Sequence, residues 1–238
     1  MKYLFVLVIF IFFACTTKDY VEVVEQKDGL VAIEAEDFFQ SRLNEVRRWE
    51  VKSDTLLASL KAKDGQKASG GQYLEIVPDS RKTHQDKLIK GENFSDQPGK
   101  LAVVDYPVYF NNPGKYFVWV RCLSLNTEDN GVHVGIDGDW PASGKKMQWC
   151  KGKGSWTWGS KQRTRENHCG EAEKIYLEVE EPGLHVISFS MREDGFRMDK
   201  IVLSKAYEAP QGGGPNPQMM KIEKAELLNQ FPHIFTIE

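Results

Sequence analysis

The chain of 238 residues lacks a marked excess of charge of either sign and lacks common signatures of catalysis. Lysine and arginine number 31 against 34 aspartate and glutamate, which leaves a net charge of −3. This balance gives no indication of binding to nucleic acid or to an acidic membrane surface. The sequence contains neither HExxH nor GxSxG, so neither a zinc protease nor a serine hydrolase of those types is indicated.

The N-terminal segment is too short to cross a membrane. Residues 3–14 are apolar and are followed by Cys15, which suits a signal peptide. A small residue followed by cysteine resembles a bacterial lipobox, so we predict that residues 1–14 are removed and that Cys15 carries the lipid. An ordinary signal peptide is the alternative, and both predict export. We therefore expect a lipid-anchored protein of the cell surface or periplasm, with residues 15–29 as a tether.

Cysteine is scarce, and export determines how it is interpreted. Without Cys15 three cysteines remain, and no pair has the spacing of a zinc finger. Oxidising conditions favour pairing, and Cys150 and Cys169 bracket a short segment that contains two tryptophans. We predict a disulfide between these two cysteines. Cys122 lies in an apolar run and is expected to be a buried free thiol.

Long helical periodicity is absent before the C-terminal stretch MKIEKAELLNQF. Short runs rich in Val, Ile, Tyr and Phe, such as KYFVWVRCLSL and GLHVISFSM, alternate with turn residues such as NNPG and EDG. This pattern predicts an all-β fold, an antiparallel β-sandwich of jelly-roll type over residues 30–206. Residues 207–238 are expected to form a linker and a tail.

Five segments carry a resemblance to a known family. They occur in the order IEAEDF, ASGGQYLEI, YPVYFNNPGKYFVWVRC, VHVGIDG and PGLHVISFSMREDGFRMDKIVL. This set resembles the carbohydrate-binding modules of families 6 and 35, which are galactose-binding-like jelly rolls. With the addition of RRWEV it also resembles the C-terminal domain of family 115 glycoside hydrolases. The resemblance covers residues 30–203 and implies binding of a polysaccharide or oligosaccharide.

The first of these segments places two carboxylates on one face of a strand. Glu34 and Glu36 are two residues apart, and such neighbours repel each other unless positive charge lies between them. In the resembling modules a structural calcium ion lies there, held also by an acidic residue of the last strand, which here is Asp199. The resemblance therefore implies a calcium site formed by these three residues. A solvated acidic edge paired with lysine or arginine is the alternative.

The segment GSWTWGSKQRTRENHCG, between the paired cysteines, is the candidate glycan site. The resembling modules use a loop aromatic to stack on the sugar, so Trp156 and Trp158 are the candidates. A polar residue two positions before the late aspartate supplies hydrogen bonds in those modules, and Arg197 stands there. Because guanidinium groups match carboxylate or sulfate, Arg197 and Arg163 indicate an acidic sugar. The alternative is a disulfide-tied flap whose tryptophans cover the end of the sandwich.

A catalytic role is the less favoured interpretation. Glu193 and Asp194 are adjacent in the turn SMREDG, where we expect them either to bind carbohydrate or to be solvated, because glycosidase carboxylates face each other across a sugar. Pairs such as His84–Asp86 and His168–Glu166 leave a polysaccharide lyase open. A surface protein-interaction module is the third candidate. A non-catalytic glycan-binding lipoprotein, with a glycan-degrading enzyme as possible partner, remains the leading prediction.

Overall fold

A computed structural model describes residues 18–53, 55 and 67–235. The predicted signal peptide and Cys15 lie outside the described residues. The strands are β1 (Tyr20–Glu25), β2 (Leu30–Glu34), β3 (Gln40–Arg42), β4 (Arg48–Ser53), β5 (Gln72–Val77), β6 (Val103–Phe110), β7 (Gly114–Leu123), β8 (Gly131–Ile136), β9 (Met147–Gln148), β10 (Trp156–Gly159), β11 (Lys161–Gln162), β12 (Glu171–Ala172), β13 (Tyr176–Val179), β14 (Gly183–Met191), β15 (Arg197–Ser204) and β16 (Met219–Glu223). Helix α1 is Lys224–Gln230, and 3₁₀ turns occur at Ser69–Gly71 and Ala142–Gly144.

The strands form two sheets that pack face to face as a jelly-roll β-sandwich, which confirms the predicted fold class. One sheet has nine strands in the order β12-β11-β9-β8-β14-β6-β1-β16, with β3 paired to β6. The other has seven strands in the order β10-β7-β15-β5-β4, with β13 paired to β7 and β2 paired to β15. Strand β10 therefore lies at one margin of the seven-stranded sheet, beside β7.

Strand β7 shows how the alternation of side chains builds both faces of this sheet. Val118, Val120 and Cys122 point into the core between the sheets, and Cys122 is a buried free thiol as predicted. The intervening Trp119 packs in a separate cluster on the opposite face. Because side chains of a strand alternate between faces, the outer face of the seven-stranded sheet carries the aromatic residue. This outer face positions the candidate site.

The segments predicted to be a tether and a tail are parts of the sandwich, so those predictions are wrong for most of their described residues. Strand β1 pairs with β16 in antiparallel orientation and with β6 in parallel orientation. Leu227 and Phe231, from and just after helix α1, are buried against Val23 and Val186. Burial of apolar side chains stabilises this arrangement. No helix among the described residues is long and apolar enough to cross a membrane.

Candidate functional site

A cavity of about 360 Å³ lies beside strand β10 and is lined by four aromatic side chains and the disulfide. Its lining comes from β7, β9, β10, the disulfide and the segment after β15. The lining residues are Trp119, Gln148, Trp149, Cys150, Lys151, Thr157, Trp158, Gly159, Ser160, Lys161, Cys169 and Tyr207. Pockets of this size lined by aromatic side chains, with a few polar groups, are typical ligand sites.

Three aromatic side chains form one wall of the cavity. Trp158 and Tyr207 are half-buried and pack against Trp119 on the outer face of the sheet. The rings of Trp119 and Tyr207 have centroids 4.9 Å apart and planes inclined by 37°. The Tyr207 hydroxyl donates a hydrogen bond to the carbonyl oxygen of Ser160 at 2.9 Å, which ties the residue to the chain next to β10.

Trp156 does not contribute to this wall, although the sequence predicted it to be a binding residue. The segment is a strand rather than a loop, so Trp156 and Trp158 share a face. Trp156 is only 5% exposed, lies 5.5 Å from Tyr73 in an edge-to-face contact and covers Leu123. The Arg121 guanidinium lies 5.6 Å from its ring. The burial of Trp156 agrees with the alternative interpretation, in which the tryptophan covers the sandwich, although the segment is a strand and not a flap.

Arg197 is also buried and is not free to bind a sugar. It is 3% exposed and donates to Glu75 Oε1 at 2.5 Å and to Asp129 Oδ2 at 3.1 Å. Asp79 Oδ2 lies 3.7 Å from its guanidinium. Burial raises the pKa of Asp79 to about 6, against the opposing effect of the arginine. Arg197 therefore neutralises three carboxylates inside the fold, and the prediction that it binds glycan is not supported.

Glu193 and Asp194 are neither solvated nor open to a ligand. Glu193 is paired with Arg192 and accepts a hydrogen bond from the backbone nitrogen of Asn130 at 2.9 Å. Asp194 is fully buried and pairs with Arg47 at 3.1 Å. Both carboxylates are therefore occupied by internal partners, since a buried charge is stable only when it is paired. Their predicted role in glycan binding is therefore not supported.

Two exposed lysines of a basic stretch of the sequence line the cavity. Residues 140–165 contain seven lysines and arginines and no acidic residue, in a chain whose net charge is negative. Lys151 and Lys161 line the cavity and are exposed; within the described residues neither side chain has a hydrogen-bonding or ionic partner. Arg163 is half-buried, and burial lowers the pKa of its guanidinium. This cluster of charges is complementary to an anionic ligand.

The predicted disulfide is present and forms part of the cavity. Cys150 and Cys169 are bonded, with Cα atoms 5.4 Å apart, and both line the cavity. The bond joins the residue after Trp149 to the far end of the segment that contains β10. The disulfide therefore forms part of the cavity wall. Its presence confirms the pairing that was predicted from the position of the two cysteines on either side of the segment.

Two of the three residues of the predicted calcium site, Asp199 and Glu34, are paired with internal positive groups. Asp199 pairs with Arg121 at 2.5 Å and Glu34 pairs with Lys200 at 2.7 Å. Burial, then the charges of nearby carboxylates, raises the pKa of Glu36 to about 8. In the described part of the chain no group of three or more acidic, histidine or cysteine side chains could hold a metal ion. The pairing of Glu34 and Asp199 favours the alternative of an acidic edge neutralised by lysine and arginine. Oε2 of Glu34 and Oε2 of Glu36 are buried without a hydrogen-bond partner among the described residues, so the calcium site stays a prediction.

The histidine pairs considered from sequence are arranged differently. His84 is exposed, and its Nδ1 lies 2.5 Å from Glu128 Oε1 rather than near Asp86. Asp86 instead accepts hydrogen bonds from the backbone and hydroxyl of Thr83. His168 is exposed at the end of the β10 segment, and burial together with Arg163 lowers its pKa.

Sequence reasoning missed the contributions of Trp119, Trp149 and Tyr207. Trp119 lies in the run KYFVWVRCLSL, which predicted only a strand, and Tyr207 falls in the segment predicted as a linker. The stretch with seven basic residues and no acidic one was the available signal, since two of its lysines, Lys151 and Lys161, line the cavity. The contact between Tyr207 and Ser160 joins residues 47 positions apart, which no local pattern reveals.

Comparison with known proteins gives a family and similar folds. The sequence model of the glycosyl hydrolase family 115 C-terminal domain matches residues 24–216. An uncharacterized protein, P23, of Formosa agariphila is 49% identical over 199 residues, which are 82% of this chain and 48% of the relative. The chain therefore spans about half the length of that curated relative.

Two solved structures illustrate the likeness in fold. A family 35 carbohydrate-binding module from Clostridium thermocellum is 17% identical with a TM-score of 0.42, over 73% of this chain and 97% of that chain. The C-terminal family 6 module of LamC from Zobellia galactanivorans is 16% identical with a TM-score of 0.37, over 74% of this chain and 99% of that chain.

Proposed function

Because the chain belongs to the family of glycosyl hydrolase family 115 C-terminal domains, we propose that it binds polysaccharide through the cavity beside β10 without cleaving it. The observation that carries this proposal is the wall formed by Trp119, Trp158 and Tyr207. The C–H faces of sugars are apolar and stack on aromatic rings, while polar groups at the rim bind hydroxyls. Trp158 is the half-exposed indole of this wall and is the expected stacking residue.

The glycan we assign to this site is acidic. Lys151 and Lys161 flank the aromatic wall, and Arg163 belongs to the same basic run. Such groups attract carboxylate or sulfate and repel cations. Arg197 does not contribute to this charge preference, because its guanidinium is occupied by internal ion pairs.

Affinity electrophoresis tests both the binding and the charge preference. The protein from residue 16 onward, which retains every described residue, is run through gels that contain polygalacturonate, dextran sulfate or unsubstituted dextran. We expect retardation by at least one of the two polyanions and none by dextran. The double variant Lys151→Met/Lys161→Met should lose most of the retardation, whereas Lys221→Met, on the distant strand β16, should keep it. Equal migration in all gels would refute the proposal for these glycans.

Lipid anchoring at Cys15 is a further part of the proposed function and rests on the sequence pattern. Since β1 begins at Tyr20, only the four residues 16–19 separate the predicted anchor from the sandwich. An extended chain of this length spans at most about 17 Å, so the glycan site would be held close to the membrane. Cys15→Ala should move the protein from the membrane fraction to the soluble fraction, and an unchanged distribution would count against the anchor.

A polysaccharide lyase is the second candidate, and one observation favours it. His84 is exposed, and the buried Glu128 contacts its Nδ1 at 2.5 Å, which orients the ring and leaves Nε2 toward solvent as a possible base. Lyase action on polyuronate produces an unsaturated product that absorbs in the ultraviolet. Absorbance that grows with the parent protein and not with His84→Ala would establish this activity.

A further inference from the structure

The segment that follows strand β15 lies on the outer face of the seven-stranded sheet and contacts Trp158. This segment, residues 211–215, was predicted to be a linker. Trp158 Nε1 donates a hydrogen bond to the carbonyl oxygen of Gly212 at 3.1 Å. The backbone nitrogen of Gly214 donates to the carbonyl oxygen of Gln211 at 2.9 Å, which closes a turn in the segment.

Gly214 lies against the indole so closely that no larger residue fits. A Cβ atom at this position would lie 2.7 Å from Cζ2 of Trp158 and 3.2 Å from Cδ of Lys200. Its φ of +82° also favours glycine. The neighbouring Gly213 differs in both respects. A Cβ atom added there would lie 4.0 Å from its nearest neighbour, Oγ of Ser69, and the φ of Gly213 is not in the left-handed region.

A buried lysine anchors the segment to the sheet. Lys200 Nζ donates to the carbonyl oxygen of Pro215 at 3.0 Å and pairs with Glu34 at 2.7 Å. Lys200 is fully buried, so the position of its ammonium group is fixed by these two partners. The segment is thus held at Lys200 and at the indole nitrogen of Trp158, on the two sides of Gly214.

We propose that residues 211–215 form a strap that fixes the ring plane of Trp158 for glycan stacking, with Gly214 as a positioning residue. The proposal rests on the proposed function, because a positioned ring matters only if Trp158 stacks on a sugar. One side of the indole is covered by the strap, and another borders the cavity. The ordering of the ring is therefore completed before the glycan arrives, which lowers the entropic cost of binding.

Gly214→Ala tests the strap, with Gly213→Ala as the matched control. The six tryptophans give six indole N–H signals in a ¹H–¹⁵N NMR spectrum, and Trp158→Phe assigns the relevant one. We expect Gly214→Ala to shift the Trp158 signal and to speed its exchange with solvent about tenfold, while the other five signals stay in place. Gly213→Ala should leave all six signals unchanged. An unmoved Trp158 signal in Gly214→Ala would overturn the proposal, whatever the protein binds.

Binding to the retarding polyanion separates the two proposals. Gly214→Ala should weaken binding about tenfold and Gly213→Ala less than twofold. If Trp158→Ala weakens binding but Gly214→Ala moves the indole signal without changing affinity, the strap does not position the ring for binding. If Trp158→Ala binds the polyanion as tightly as the parent does, the proposed glycan site is wrong. The contact between the strap and the indole, which the NMR spectrum of Gly214→Ala reports, is unaffected by that result.

Discussion

Trp156 and Trp158 project from the same face of one short strand, yet only Trp158 borders the cavity. The difference arises from what each meets on the outer face of the sheet. Trp156 is packed against Tyr73 and Leu123, whereas Trp158 lies beside Trp119 at the open margin. Two tryptophans that look equivalent in the sequence therefore have different expected roles, one in stability and one in binding.

Trp156→Ala should destabilise the fold without a specific effect on binding. Removal of a buried tryptophan costs about 3 to 5 kcal/mol, and here the loss also uncovers Tyr73 and Leu123. Urea unfolding measures the effect, and Trp156→Phe should recover part of it. Affinity measured on the folded fraction should equal that of the parent. A specific loss of affinity in a fully folded Trp156 variant would contradict the assignment.

Arg197→Met should lower stability rather than glycan affinity. Breaking a buried ion pair by removal of one partner costs about 3 kcal/mol or more, and here three carboxylates, Glu75, Asp79 and Asp129, lose their guanidinium. Asp79 can be neutralised by protonation in the variant, because burial already raises its pKa to about 6. The deficit should therefore be smaller at pH 5 than at pH 8, as measured by urea unfolding.

The matched control for this prediction is Arg163→Met. Arg163 is half-buried in the basic run near the cavity and its side chain does not form an ion pair with a described residue. It should leave the free energy of unfolding within about 0.5 kcal/mol of the parent and should weaken binding of a polyanion. A loss of polyanion affinity in a folded Arg197→Met protein would restore the binding role predicted for Arg197 from the sequence.

His133 should make the protein less stable in acid. Its ring is fully buried: Nδ1 accepts a hydrogen bond from the backbone nitrogen of Lys146 at 2.9 Å, so Nε2 carries the proton toward the carbonyl oxygen of Ser95 at 3.2 Å. Burial lowers the pKa of His133 to about 3. Since the unfolded chain binds this proton near pH 6.5, stability is lost as the pH falls from about 6.5 toward 3.

The comparison with His133→Gln isolates this contribution. Burial raises the pKa values of Asp79 and Asp199 to about 6, so these carboxyl groups also change protonation in this pH range. Their effect on stability is opposite to that of His133 and is the same in both proteins. The stability gap between parent and variant should therefore narrow as the pH falls below 6.5, as read from urea unfolding at several pH values. A gap that stays constant down to pH 4 would contradict the neutral, buried state of His133.

Chelation tests the calcium that the family resemblance implies. Arg121 and Lys200 supply positive charge to Asp199 and Glu34, so we expect EDTA to leave the melting temperature unchanged. A ligand that binds only the folded state stabilises it by mass action. A melting temperature that falls with EDTA and recovers with calcium, together with bound metal in the purified protein, would contradict this expectation and confirm the calcium site predicted from the sequence.

Strand alternation and turn residues were sufficient to predict the sandwich, because each strand carries its own periodic signal. The disulfide was predictable as well, since export and the positions of Cys150 and Cys169 both pointed to it. The strands at the two ends of the domain, β1 and β16, could not be predicted. Strand β1 is a strand only because β16 and β6 pair with it, and pairing across nearly two hundred residues leaves no local signal.

The candidate site was likewise predictable only in part. Trp158 could be predicted from its neighbourhood, but its difference from Trp156 depends on which side chains from distant strands reach each ring. Arg197 occupies the position for which the family resemblance implies a sugar-binding residue, yet Glu75 and Asp129, from another strand and a loop, neutralise it. A position in a motif predicts the location of a residue in the fold, whereas its partners decide whether it is free to bind.

The affinity of Trp158→Ala for the polyanion that retards the parent tests the central claim most directly. Trp140→Ala is the matched control, because this half-buried tryptophan packs over Gly99 and Gly135, away from the lining of the cavity. Stacking contributes on the order of 1 kcal/mol beyond the buried area, so Trp158→Ala should weaken binding about tenfold or more while it remains folded, and Trp140→Ala less than twofold. A folded Trp158→Ala protein that binds the glycan as tightly as the parent would contradict the account.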